Sequence, residues 1–306
     1  IKVYYPAGLE DKYEEYGEYF HEGFIIYPSE LTVSDWLFML DIDDTQAQAD
    51  LLATILDNLE EKYGEHYGLE DIISELLDKD ESKNVKNALR RKLEKADSWG
   101  IFSKEGEKIE EIVTGNEFMI LDLSGAGELP WNVRTTLTSI LTKKMYSKRS
   151  FERSREEIED IRKEDREDTG FPLVWLFMDE AHLFAPSSGS APSTEPIVEW
   201  VRQGRRPGLS LVMATQQPGA LDDRILSQCD TLIVHRLTAG ADSKAVGDKI
   251  SEIYDSKSIN EYMKEIPKEP GYAVVMNDQT EEIKPVKIRP RKSRHAGGSA
   301  ELGDFL

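Results

Sequence analysis

The chain has 306 residues and a formal net charge of −21, from 59 acidic and 38 basic residues. This length suits one large domain with an insertion, or two domains, and the acidic balance argues against a protein that coats nucleic acid over a broad surface. The single cysteine excludes an internal disulfide framework and suits a cytoplasmic location. Since no apolar run approaches the roughly 20 residues of a membrane-spanning helix, we expect no membrane contact.

The first 40 residues predict part of an α/β domain. Residues 1–5 and 23–27 have the composition of β-strands, and a helix is expected to begin at Thr32 or Ser34. Residues 41–115 are charged and carry three apolar stripes at helical spacing. The stripes consist of Leu51, Leu52, Ile55, Leu56 and Leu59; of Ile72, Ile73, Leu76 and Leu77; and of Val85, Ala88, Leu89 and Leu93. We predict a helical bundle inserted into the α/β domain; the alternative is that these helices face the core of the same domain.

The remainder of the chain again alternates between strands and helices. A strand near Phe118 precedes a long helix from about Asn132. The second half of this helix, residues 148–168, is dominated by mixed charges, which predicts an exposed helical arm or a mobile connection. Beyond residue 217, strands are expected near 231–235, 272–276 and 282–288, with helices between them. Residues 291–306 are basic and then rich in Gly and Ser, which indicates a flexible tail. The most basic cluster, which either contacts phosphates or is an unattached end, is Lys284, Lys287, Arg289, Arg291, Lys292 and Arg294.

Two adjacent carboxylates end the short apolar run at residues 173–178. Such a run is typical of a parallel strand buried on both faces, and Asp179 and Glu180 at its carboxyl end are costly unless a ligand or metal uses them. In P-loop NTPases the first acidic residue at this position binds Mg²⁺, and the second polarises the water that attacks the γ-phosphate of ATP. We assign these roles to Asp179 and Glu180. The alternative is a strand followed by an acidic helix cap.

A second apolar run, at residues 209–213, leads to Thr215, Gln216 and Gln217. An uncharged amide beside a phosphate site can bond both the γ-phosphate and the attacking water, so we interpret Gln216 as a sensor of the phosphate and Gln217 as a second nucleotide-binding residue. The alternative is a polar turn closed by Pro218.

Paired arginines, Arg205 and Arg206, lie between the two runs at a corner bounded by Gly and Pro. They suit an exposed turn. They also suit a ring-shaped ATPase, in which an arginine at a subunit edge stabilises transition-state charge in the neighbouring site. Both remain candidates.

These segments together resemble HerA-type ATPases of the HerA/FtsK superfamily. The matching segments, in the family's order, are residues 118–125 (FMILDLSG), 176–186 (LFMDEAHLFAP), 203–208 (QGRRPG), 214–218 (ATQQP) and 226–237 (LSQCDTLIVHRL). The resemblance spans about 116–290. It implies an α/β fold with a RecA-like P-loop NTPase sheet flanked by helices, formed by residues 1–40 and 116–290.

The resemblance also implies a function. It predicts an ATP- and Mg²⁺-dependent motor that moves double-stranded DNA, acting as a homo-oligomeric ring that we expect to be a hexamer, with a NurA-type nuclease as partner. His182, beside the carboxylates, would couple the nucleotide state to the side that faces DNA.

The phosphate-binding part of such a site is missing from the chain. No G-x-x-x-x-G-K-[ST] segment occurs, and since the chain opens at Ile1 we expect that segment upstream. A non-hydrolysing assembly subunit, or a related conjugation, secretion or packaging ATPase, remains an alternative. A DEAH helicase with two RecA domains fits poorly, because Arg205 and Arg206 fall between the two motifs and a second RecA domain has no room.

Overall fold

The computed structural model describes residues 1–15, 22–102, 107–109, 111–162, 170–237, 240–253, 259–267 and 269–292. The chain divides into two compact units, residues 1–216 and 217–306, which are described separately. Within the described ranges, none of the helices is both long enough and apolar enough to cross a membrane.

The first unit is built on parallel strands flanked by helices. Its strands are β1 (Lys2–Pro6), β2 (Glu22–Ile25), β3 (Glu107–Lys108), β4 (Met119–Leu121), β5 (Val174–Met178) and β6 (Leu209–Met213). Its helices are α1 (Glu10–Glu14), α2 (Val33–Leu40), α3 (Ala47–Tyr63), α4 (Leu69–Asp78), α5 (Lys83–Asp97), α6 (Trp131–Arg162) and α7 (Thr194–Gln203). One sheet has the order β3-β2-β1-β4 and β5 pairs with β6, all in parallel. The predicted α/β class is confirmed.

The three predicted stripes correspond to α3, α4 and α5. Every residue of the first stripe is buried, whereas Leu77 of the second stripe is 52% exposed. Contrary to the prediction, Leu77 therefore does not face the core. The buried residues of these helices belong to one cluster with Tyr4, Phe24 and Trp36. The helices and the β1–β2 sheet therefore share a continuous core, and their description as an inserted bundle stays a prediction.

The carboxyl end of α2 is where these helices join the rest of the unit. Lys92 Nζ of α5 donates to the carbonyl oxygens of Leu40 (2.7 Å) and Asp41 (2.8 Å). Asn132 Nδ2 of α6 donates to those of Phe38 (3.1 Å) and Met39 (2.6 Å). Carbonyls at a helix end lack partners within the helix, so these two side chains connect three helices through groups that would otherwise need water.

Strand β5 is buried on one face, not on both as its apolar sequence predicted. Val174 and Leu176 pack into a cluster around Met145 of α6 and Trp200 of α7. Trp175 and Phe177 point the other way and are 64% and 56% exposed. The prediction is wrong for this face because α6 and α7 both cover the same side of the strand pair.

The second unit is smaller and contains an antiparallel sheet. Its elements are α8 (Asp223–Leu226), β7 (Thr231–Val234), α9 (Gly240–Ile253), α10 (Ile259–Glu265), β8 (Tyr272–Asn277) and β9 (Glu282–Lys287). The strand order is β7-β8-β9, and Pro285 lies in the edge strand β9, where a missing N–H is tolerated. The expected strands are present, whereas residues 163–168 of the predicted arm and 293–306 of the predicted tail lie outside the described residues.

The salt-bridged Glu75 of α4 supplies a pH-dependent test of the helical region. Lys62 Nζ and Lys79 Nζ lie 2.6 and 2.9 Å from its carboxylate, and Asn58 Nδ2 donates to it at 3.2 Å. Hydrogen bonds, from Lys62 first and then Lys79, lower the pKa of Glu75 from 4.5 to about 2.

Replacing this carboxylate should therefore destabilise the protein only where it is ionised. We expect Glu75→Gln to lower the free energy of unfolding by about 1 kcal/mol at neutral pH. Because the pKa of Glu75 is depressed in the folded state, its stabilising effect is complete above pH 4.5 and is lost as the pH falls toward 2. The unfolding free energies of the wild type and the variant should therefore become equal near pH 2. Denaturant unfolding at several pH values measures this, with the exposed Glu61→Gln as control. A difference in unfolding free energy between wild type and Glu75→Gln that stays constant down to pH 2 would contradict this role of the Glu75 carboxylate.

Candidate functional site

The parallel pairing of β5 with β6 brings the two predicted polar ends together. Met178 pairs with Met213, the last residues of the two strands. The pairing continues one step further, because Ala214 N donates to Met178 O (2.9 Å) and Ala181 N to Ala214 O (3.0 Å). The residues that follow each strand therefore lie at one edge of the sheet, where open α/β folds bind ligands.

Glu180 has an unusual backbone conformation at this edge. It lies in the left-handed region, with φ 46° and ψ 45°, just before a 3₁₀ turn at Ala181–Leu183. This conformation costs a non-glycine residue about 1 kcal/mol or more. The N–H of Glu180 donates to Asp179 Oδ1 at 2.9 Å, so the preceding carboxylate helps to hold the bend. The bend orients the two acidic side chains independently of the regular alternation of β5.

The Glu180 carboxylate contacts the end of β6 directly. Gln216 Nε2 donates to Glu180 Oε1 at 2.5 Å. The other oxygen, Oε2, is buried and has no hydrogen-bond partner among the described residues. The nearest ring nitrogen, His182 Nδ1, lies 3.5 Å from it. The two residues predicted as water-polarising base and phosphate sensor are thus neighbours.

His182 is buried within the same group of side chains. Its Nδ1 lies 2.9 Å from the hydroxyl of Thr215, the residue that precedes Gln216. The position of His182 beside the acidic pair predicted its involvement, whereas no role was predicted for Thr215. The signal for Thr215 is its place one residue before the sensor, at the strand end that faces the acidic pair.

Asp179 is exposed and fits the chemistry of a magnesium ligand. One of its oxygens accepts the Glu180 N–H, and the other has no donor within the described part of the chain. Mg²⁺ in nucleotide sites needs only one or two protein carboxylates, because phosphate and water oxygens complete its shell. Among the described residues, His, Cys, Asp and Glu form no group of three or more that could hold a metal.

Gln217 belongs to the second unit, where its carbonyl oxygen accepts a hydrogen bond from the N–H of Ala220 at 3.0 Å. Its assignment to nucleotide binding stays a prediction.

Arg205 and Arg206 lie in the turn between α7 and β6, at the opposite end of β6 from Gln216. A strand of five residues spans about 15 Å, so neither guanidinium is placed beside Glu180 of its own chain. The turn itself is held by Arg149 of α6, which is buried and donates to the carbonyl oxygens of Pro207 and Phe171.

The two exposed arginines differ in their contacts. Arg206 Nη2 lies 2.8 Å from Glu157 Oε2 of α6. This hydrogen bond lowers the pKa of Glu157 below its usual value and raises that of Arg206. The side chain of Arg205 makes no hydrogen bond or ion pair within the described residues. Among the described residues, Arg206 therefore has a partner in its own chain, whereas the side chain of Arg205 has none.

Comparison with known proteins identifies relatives over parts of the chain. The probable helicase MJ1565 of Methanocaldococcus jannaschii is 34% identical over 73 residues, which are 24% of this chain and 14% of that protein. The DNA double-strand break repair helicase HerA of Pyrococcus furiosus is 28% identical over 109 residues, 35% of this chain and 20% of that protein. The matched segments thus span a fifth or less of each relative.

A solved structure shares the fold over nearly the whole chain. VirB4 of Thermoanaerobacter pseudethanolicus superposes with a TM-score of 0.52 and 11% sequence identity, covering 95% of this chain and 82% of its own. At this identity the likeness concerns the fold alone.

The family assignment comes from a different part of the chain than the site. The model of the HerA helicase central domain matches residues 4–166, whereas most motifs of the resemblance lie within 116–290. Asp179, Glu180 and Gln216 therefore lie beyond the matched segment, and their roles stay proposals. Since the matched segment is more than half of the chain, the protein belongs to the family of the HerA helicase central domain.

Proposed function

We propose that this protein hydrolyses ATP to move double-stranded DNA, as a subunit of a homo-oligomeric ring in the cytoplasm. The observation that carries the proposal is the contact between Glu180 and Gln216 at the carboxyl edge of two parallel strands. Membership in the HerA family supports DNA as the substrate, since a curated relative is named as a DNA double-strand break repair helicase. A hexamer, and a nuclease of NurA type as partner, are further parts of the proposal.

The side chains have separate tasks in this reaction. Asp179 would hold Mg²⁺, which neutralises phosphate charge when it is bound with ATP. Glu180 would accept hydrogen bonding from the attacking water and orient it. The Gln216 amide, which donates a hydrogen bond to Glu180 in this structure, would turn to the γ-phosphate and the attacking water when ATP is bound. Loss of the phosphate would let the amide return to Glu180.

Removal of the Glu180 charge tests this assignment in the complete protein. Glu180→Gln should lower ATP turnover by about 10²- to 10⁴-fold, because an amide cannot polarise the attacking water, while ATP affinity should change little. Steady-state hydrolysis and nucleotide binding measure the two effects.

The matched control is Glu199→Gln, an exposed position on α7, which should turn over ATP like the wild type. Wild-type turnover by Glu180→Gln would refute Glu180 as the base.

A non-hydrolysing assembly subunit is the second candidate. It would keep the same fold and ring contacts without turnover. Absence of both ATP binding and hydrolysis in the complete protein would establish this candidate and exclude the motor.

Arg205 is the better candidate for an arginine that acts in the neighbouring subunit. Its side chain is exposed, whereas Arg206 is paired with Glu157. An arginine that enters a neighbour's site must first break the ion pairs it makes in its own subunit. The free-energy cost of this step is expected to be lower for Arg205, because Arg206 must break its pair with Glu157.

The two arginines should therefore separate on substitution. We expect Arg205→Ala to lower ATP turnover by about 10³- to 10⁵-fold, the usual effect of losing an arginine finger, and Arg206→Ala to lower it less than about 10-fold, because only an exposed ion pair is lost. Steady-state hydrolysis by the two purified variants gives the comparison.

Mixing Arg205→Ala with Glu180→Gln subunits should restore part of the activity, because some interfaces then combine an intact Glu180 with an intact arginine. Full activity of Arg205→Ala, or no recovery on mixing, would contradict a role in the neighbouring subunit.

A further inference from the structure

His182 lies between Thr215 and the base proposed above. Its Nδ1 is 2.9 Å from Thr215 Oγ1 and 3.5 Å from Glu180 Oε2, and the ring is 8% exposed. A single ring nitrogen therefore lies within or near hydrogen-bond distance of two oxygens, one on each of the paired strand ends.

The oxygen that faces His182 has no hydrogen-bond partner in the described part of the chain. Glu180 Oε2 is buried, and a buried carboxylate oxygen without a donor is unfavourable. Its partner oxygen accepts from Gln216. If Gln216 leaves to contact a phosphate, the carboxylate loses that donor, and His182 Nδ1 is the nearby group that can replace it.

We propose that Thr215 and His182 are positioning residues for Glu180. A carboxylate only accepts, whereas a threonine hydroxyl both donates and accepts. In this proposal His182 carries its proton on Nδ1, the nitrogen that faces the acceptor-only Glu180 Oε2, and donates it to Thr215 in the resting arrangement. When Gln216 moves away, a small shift of the ring transfers this donor to Glu180 Oε2 and keeps the carboxylate aimed at the water. This inference rests on the proposed function.

The steps exchange hydrogen bonds without net proton transfer. The Nδ1 proton stays on His182 and changes its acceptor from Thr215 to Glu180. Thr215 fixes the position of the His182 ring before Gln216 moves. Its hydroxyl should therefore affect the rate of ATP hydrolysis and not the affinity for ATP.

Substitution of Thr215 in the complete protein tests this role. Thr215→Val removes the hydroxyl with little change in shape and should lower kcat for ATP by about 10- to 100-fold, since a misplaced catalytic group costs about that much. The KM for ATP should stay within about 2-fold, because nucleotide binding does not use the hydroxyl. Thr215→Ser keeps the hydroxyl and should recover most of the rate, and Ser210→Ala, within β6, is the control.

Wild-type kcat in Thr215→Val, or equal damage from Thr215→Ser, would overturn the role, because then the hydroxyl is not what matters.

The protonated nitrogen of His182 can be measured on this chain without nucleotide. Long-range ¹H–¹⁵N NMR of the neutral rings should show the Nδ1–H tautomer for His182, with the signal assigned through its loss in His182→Asn among the five histidines. The Nε2–H tautomer would overturn the proposal, because Nδ1 would then accept from Thr215 and have no proton for Glu180. This result is independent of ATP hydrolysis, so failure of the motor function and failure of the positioning pair are distinguishable.

Discussion

The parallel register of β5 and β6 is the constraint on which the site depends. Because Met178 pairs with Met213, the residues that follow the two strands lie at the same level along the strand axis. The side chains of Glu180 and Gln216 are therefore within hydrogen-bond distance. A shift of the register by one residue would turn the side chains of a strand to the opposite face and break this contact. The cluster of apolar side chains between β5, β6 and the covering helices therefore fixes the register and the chemistry together.

Acidic and basic side chains lie at opposite ends of the β5–β6 strand pair, an arrangement that suits a ring of identical subunits. The acidic pair lies near one end of the strand pair, and Arg205 and Arg206 lie at the other, in a turn tied to α6 by the buried Arg149. A single subunit thus presents carboxylates at one edge and guanidinium groups at another. A ring in which subunits face the same way would bring these two edges together, which is the physical basis for proposing a site shared between neighbours.

Patterns local in sequence predicted much of the fold. The apolar stripe of α3, the start of α2 after Thr32 and the strands around the acidic pair follow from spacing and capping, which few neighbouring residues determine. The polar residues Glu180 and Gln216 were each expected at the end of an apolar strand, whereas the parallel pairing that brings them together comes from the structure. The exposure of Trp175 and Phe177 was not predicted, since an apolar run carries no information on how many faces helices will cover.

Contacts between distant residues escaped prediction for a different reason. The Arg206–Glu157 pair joins residues 49 positions apart, and many acidic residues were equally plausible partners in a chain with 59 of them. The 2.9 Å contact of His182 with Thr215 depends on the left-handed bend at Glu180, which strand propensity disfavours. Such features arise from backbone geometry that only the assembled strand pair defines.

The most direct test of the account is a structure of the complete protein with Mg²⁺ and a non-hydrolysable ATP analogue. The account predicts that Asp179 lies at the metal, directly or through a water, and that Glu180 contacts a water in line with the γ-phosphate. An analogue bound away from the ends of β5 and β6, with both carboxylates turned from it, would contradict the central claim.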